Sequence, residues 1–181
     1  MLDAAHAIVV ERGVRGLTMA DLARRAEVSR ATLYRTWPNV EGVVGDLFTR
    51  EFRMVMQRAM RLIGGRSARD VLVSGTVSMV GQVRRLPLLK RVVELDPDFL
   101  LPYLVNRRGR STDEQLALLE DFVRDGQRDG SIREGDPSLL ASAVLLNAYS
   151  FALTGPAFVG PDRITTLDAL LTELLQDFLR P

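Results

Sequence analysis

Residues 18–37, TMADLARRAEVSRATLYRTW, leave the chain little choice of local fold. Thr18 stands three residues before Asp21 in a capping box, whose reciprocal hydrogen bonds satisfy the first free amides of a helix. Leu22, Ala23 and Ala26 supply the inward face of that helix, and the alanines are small enough for another helix to come close. The chain then turns through Glu27 and Val28, and Ser29 caps a second helix. In it Leu33 and Trp37 lie one turn apart on the same side and anchor in a core, while Ala31, Thr32, Tyr34 and Arg35 point away. Such an outward face suits DNA: the major groove admits one helix, Arg grips guanine edges bidentately, and Thr or Ala methyls meet thymine methyls. Tyr34 suits a phosphate, and the amides following Thr18 and Ser29 point out of helix N-termini, where phosphate oxygens are favoured.

Helix signals continue through the rest of the chain, and no stretch alternates with the period of two that a half-buried strand needs. The fold class is therefore all-α. Asn39 caps a longer helix whose Val44, Leu47, Phe48, Phe52, Val55, Ala59 and Leu62 form one stripe before Gly64 and Gly65 end it, and this helix bridges two domains. Residues 68–86 form the next helix, Pro87 and Pro97 bracket a shorter one, and Pro102 is expected to interrupt its successor. Ser111 with Glu114 makes a second capping box, opening a helix with Leu116, Leu119, Phe122 and Val123 inward as far as Gly130. Asp136 and Pro137 start an apolar helix expected to stop at Gly155 and Pro156. A last helix over about residues 164–179 carries Ile164, Leu167, Leu170, Leu171, Leu174, Leu175 and Phe178, a stripe wider than one neighbour covers. Two such helices paired with their copies across a two-fold axis make a four-helix bundle, so a homodimer through the C-terminal helices is expected. It would present two reading helices to half-sites about 34 Å apart.

A net charge of +1 rules out a polycationic coat, so DNA contact has to rest on the local placement of Arg12, Arg15, Arg24, Arg25, Arg30 and Arg35, which Asp21 and Glu27 dilute. The 46% hydrophobic content of 181 residues supplies a substantial core. With no cysteine there is no disulfide, thiolate nucleophile or cysteine metal site, which suits the reducing cytoplasm. Residues 139–153 are the most apolar stretch, but they are too short for about 30 Å of hydrocarbon and contain Asn147 and two serines, so a buried helix is expected and no membrane partner. His6, the only histidine, lies in the first helix and reads as a half-buried packing residue; it cannot assemble a multi-histidine metal centre, and no Ser, His and acid constellation is possible apart from it. Glu120 and Asp121 read as a solvated face. No catalytic residue, metal site or cofactor is assigned, and the expected work is binding.

Residues 18–37, with MLDAAHAIVVERGVRGL before them and PNVEGVVGDLF after, resemble the tetracycline-repressor (TetR) family of bacterial transcription regulators. The likeness covers roughly the first third of the chain, through Ala4, Ala5, Glu11, Arg12, Gly13, Leu22, Ala23, Val28, Ser29, Arg30, Thr32, Leu33, Tyr34, Arg35 and Pro38. It implies an N-terminal three-helix bundle with a helix-turn-helix, residues 1–48, and a helical effector-binding and dimerisation domain, residues 49–181. It implies DNA contact by Thr18, Ser29, Arg30, Ala31, Thr32, Tyr34, Arg35 and Asn39, at a near-palindromic double-stranded operator that a repressor leaves when a small molecule binds. The effector pocket so implied has Thr76, Met79, Val83, Val93, Phe99, Tyr103, Phe122 and Tyr149 as candidate lining, with Asn147 as a polar anchor. These residues suit a hydrophobic effector, while Arg107 and Arg108 would serve a carboxylate.

Three departures from the family pattern carry expectations of their own. Glu27 replaces the glycine common in the turn, at a cost of roughly 1 kcal/mol if its backbone is left-handed. Val40 replaces a phosphate-binding lysine, which predicts a shallower salt dependence. Met1 falls almost inside the first helix, where the family carries a basic arm ahead of it, so lower affinity is expected. A helical small-molecule binder of the same fold that reads DNA poorly is the alternative these departures favour.

Overall fold

Three side-chain oxygens start the helices around residues 18–37. The computed structural model describes residues 1–62, 67–105 and 108–181, without the side chains of 60–62 and 103–105. In it Thr18 Oγ1 accepts the Asp21 amide at 3.1 Å, Ser29 Oγ the Thr32 amide at 3.1 Å, and Asn39 Oδ1 the Gly42 amide at 2.9 Å. They follow α1 (Leu2–Arg12) and open α2 (Met19–Arg25), α3 (Arg30–Thr36) and α4 (Val40–Leu62). Asp21 is one methylene shorter than the glutamate that reaches back in a full capping box, and it turns its carboxylate to Arg24 at 2.5 Å and Arg12 at 3.6 Å. The expected stop at Gly64 and Gly65 lies outside the described residues.

By compactness the chain forms two units, Met1–Arg53 with Arg85–Ser111, and Met54–Arg84 with Thr112–Pro181. In the first, Ala5, Ile8, Val9, Leu22, Leu33, Val43, Val44 and Leu47 form the buried core. Here α1 packs on α2 and also on α6 (Pro87–Leu95), which packs on α7 (Pro97–Val105). Pro102 lies inside α7 without ending it, contrary to expectation. Between α1 and α2 the chain turns at Gly13, φ +76°, and lays Val14 against the corner joining α6 to α7. The Val14 amide donates to Asp96 Oδ2 at 2.6 Å. Arg15 reaches Asp96 at 3.3 Å and Asp98 at 3.2 Å, and Asp96 is 3% exposed.

The second unit is organised around α5 (Ala68–Arg84), which packs on α9 (Pro137–Tyr149) and α11 (Ile164–Phe178). Arg84 closes a two-pronged ion pair with Asp168, tying α5 to α11. The loop after α8 (Arg110–Arg128) caps α5: Asp129 Oδ2 accepts the Ala68 amide at 2.9 Å and Ser131 Oγ the Arg69 amide at 3.2 Å. Hydrogen bonds from Ser131 and from the Ala68 amide hold the Asp129 carboxyl below the usual carboxylate range. Ser111 lies inside α8 instead of opening it, since that helix begins one residue earlier.

Gly155 and Pro156 do not stop the apolar helix. After α9 the backbone widens into a π turn, Ser150–Thr154, then resumes as α10 (Gly155–Val159), and Gly160 at φ +72° ends it. The changed register accommodates a proline without a donor. The full helical span, Pro137–Val159, is 23 residues, longer than the apolar stretch 139–153, and is long and apolar enough to cross a membrane by length and composition only. The expected buried helix is found on one side only: Leu140, Ala141, Val144, Leu145 and Ala148 are buried, while the other side is open. Its outer face shows Leu139, Leu146 and Phe158, and α11 adds Leu170 and Leu174.

Candidate nucleic-acid interface

Seven residues form α3, and its two sides differ sharply. Leu33 is fully buried and Trp37 is 6% exposed, whereas Arg30, Ala31, Tyr34 and Arg35 are exposed. Thr32 is half-buried, its hydroxyl 2.9 Å from that of Ser29. The 3.6-residue period thus separates the buried anchors from the exposed Arg30, Ala31, Tyr34 and Arg35, with Thr32 between them.

The turn ahead of α3 is held by the Val28 amide donating to Ala23 O at 3.0 Å, with Glu27 between at φ +54°. This left-handed position favours glycine. Glu27→Gly is expected to stabilise the protein by about 1 kcal/mol, raising the thermal midpoint by roughly 2–4 °C. A scanning thermal melt checks this, and a lowered midpoint would mean that the glutamate side chain contributes more than its backbone costs.

Charge on this unit is largely paired internally. Arg24 and Arg12 meet Asp21, Arg25 meets Glu11 at 2.6 Å, and Arg15 meets Asp96 and Asp98. The hydrogen bond from Arg25 and its positive charge hold the Glu11 carboxyl below its usual range. Among the described residues, Arg30 and Arg35 have no carboxylate partner. Two exposed guanidiniums on one helix are thereby left for an outside anion or base edge. Val40, at the first position of α4, offers no cation.

At the end of α3 the Trp37 indole donates Nε1–H to Asp46 Oδ2 at 2.8 Å, and Asp46 Oδ1 accepts Arg110 Nη1 at 2.8 Å. Sequence reasoning missed Asp46, Asp96 and Arg110. No local spacing links Val14 to Asp96, 82 residues on, or Asp46 to Arg110, 64 residues on.

The candidate effector residues fall in both units. Val93 is exposed on α6, and Phe99 stacks on Phe48 with ring centroids 6.4 Å apart. The Tyr103 side chain and Arg107 lie outside the described residues. In the second unit Thr76 and Val83 are buried, and Met79, Phe122, Asn147 and Tyr149 are half-buried. Thr76 donates its hydroxyl to Leu72 O at 2.8 Å, and Asn147 gives its amide to Ala143 O at 2.8 Å. Tyr149 meets Thr112 at 3.2 Å, and burial pushes its phenol above the usual range.

Residues 1–47 match the family described as bacterial regulatory proteins, tetR family. Over 174 residues, 96% of this chain and 88% of the relative, the sequence is 34% identical to an uncharacterized HTH-type transcriptional regulator of Mycobacterium bovis, Mb2274c. The backbone is similar to that of QsdR, a TetR-family transcriptional repressor from R. erythropolis, with a TM-score of 0.73 at 18% identity, covering 99% of this chain and 94% of that one. It is also similar to the transcriptional regulator FadR from Bacillus subtilis, solved in complex with stearoyl-CoA, with a TM-score of 0.68 at 19% identity over 99% and 97% of the two chains.

Proposed function

Because the chain belongs to the tetR family of bacterial regulatory proteins, we propose that it is a repressor that binds a near-palindromic operator as a homodimer in the cytoplasm and leaves it when a small hydrophobic effector binds. Residues 1–48 read DNA, and residues 49–181 take the effector and the second subunit. The observation that carries this reading is the exposed side of α3, with Arg30 and Arg35 free of carboxylate partners among the described residues. Arg35 addresses a guanine edge, Ala31 and Thr32 touch thymine methyls, and Arg30 and Tyr34 reach phosphates. Thr18, Ser29 and Asn39 lie at the backbone, where their capping oxygens orient the following amides.

Dimerisation is supported by Leu139, Leu146 and Phe158 together with Leu170 and Leu174, five large apolar side chains exposed along consecutive helices of one unit. A second copy is the occupant that repeats the same apolar chemistry and doubles the reading helix. For the effector, the reading rests on Thr76, Met79, Val83, Phe122, Asn147 and Tyr149, three apolar or aromatic groups together with a hydroxyl, an amide and a phenol. The stearoyl-CoA held by FadR is an example of such a hydrophobic ligand on this fold. A coupling of about 1–3 kcal/mol between effector and operator is enough to release DNA roughly five- to 150-fold.

Selecting the preferred duplex from a random pool and titrating it with wild-type and Arg35→Ala protein tests this reading. The substitution is expected to weaken specific binding by about 1–3 kcal/mol and leave the oligomeric state unchanged. Unaltered operator affinity would remove Arg35 from base contact, and failure to enrich any sequence would overturn the DNA-binding reading.

A further inference from the structure

We propose that Asp46 is a positioning residue for DNA reading, through which Arg110 in the first turn of α8 fixes the orientation of α3. The inference rests on α3 being the helix that contacts DNA. In the seven residues of α3 one side chain, Leu33, is fully buried, and Trp37 at its C-cap is the other inward anchor. One anchor, Leu33, is a featureless aliphatic group that restrains depth better than angle. The other, Trp37, carries a directional donor, and that donor is engaged by Asp46 Oδ2 at 2.8 Å.

The carboxylate is itself oriented. Its second oxygen accepts Arg110 Nη1 at 2.8 Å, so the Asp46 plane is fixed by a donor on either side. Arg110 is 69% exposed on its side chain, so this ion pair contributes little to stability. What it supplies is geometry: without it Asp46, one-third exposed, is free to turn toward solvent and leave the indole donor unmet. The same helical turn that holds Arg110 also holds Thr112, whose hydroxyl lies 3.2 Å from that of Tyr149, the residue immediately before the π turn.

Trp37 is the only tryptophan in the chain, so native fluorescence reports on this indole alone. Arg110→Ala, Asp46→Ala, the double variant and Asp46→Asn are compared in tryptophan emission, in affinity for the selected operator and in thermal midpoint. Arg110→Ala is expected to shift the emission and weaken operator binding roughly five- to thirtyfold with the midpoint held. In the Asp46→Ala background the Arg110 substitution is expected to add nothing to either readout. Asp46→Asn keeps an acceptor for the indole and restores most of the emission. Additive effects of the two alanine substitutions, or an Arg110→Ala protein matching wild type in emission, would overturn the proposal. If wild type enriches no DNA sequence, the parent reading fails separately, and the emission cycle still decides whether Asp46 links Arg110 to Trp37.

Discussion

Gly13→Ala is expected to cost about 3 kcal/mol of stability and to loosen the reading unit at the turn between α1 and α2. Two independent effects combine there. The backbone at φ +76° is left-handed, which costs an L-residue roughly 1–2 kcal/mol. An added Cβ would also overlap Asp96 Oδ2 and lie 3.2 Å from Leu95 Cβ. The carboxylate has nowhere to go, because it is buried and already accepts the Val14 amide at 2.6 Å. Moving it leaves a buried donor without a partner, at about 1–3 kcal/mol. Denaturant unfolding of the full chain measures the sum, and a loss below about 1 kcal/mol would mean that the corner between α6 and α7 yields without breaking the Asp96 hydrogen bond.

Glutamate at both Leu146 and Leu170 is expected to give a folded monomer whose operator affinity falls roughly 10²- to 10⁴-fold, since each reading helix then binds without its tethered twin. The two leucines are 68% and 51% exposed in the single chain, so neither substitution removes core packing. In a dimer each carboxylate would be buried against apolar groups or against its own copy, and the pairing is lost. Light scattering gives the mass and operator titration the affinity. A variant that stays dimeric would place the subunit contact elsewhere on the surface.

Local rules made the reading segment legible. Thr18, Ser29 and Asn39 could be assigned as caps because a cap needs only an oxygen a few residues before an amide, and each makes that bond. The inward placement of Leu33 and Trp37 and the outward placement of Tyr34 and Arg35 follow from helical period alone. Where several local rules competed, the readings failed. Gly155 and Pro156 together signal a stop only for an α-helix, and the π turn before them changes the register in which their missing groups would matter. Ser111 followed by Glu114 has the pattern of a capping box, yet α8 starts at Arg110. The bonds from Val14 to Asp96 and from Trp37 through Asp46 to Arg110 were invisible for a different reason. Helical period says which side of a helix faces inward, and nothing about which distant carboxylate will be waiting there.

Six arginines lie between residues 12 and 35, and four of them, Arg12, Arg15, Arg24 and Arg25, are matched to acids of their own unit. Random chromosomal DNA attracts a protein through unmatched cations, so this unit should slip off arbitrary sequence readily. A regulator built this way loses little of its population to the bulk of the genome.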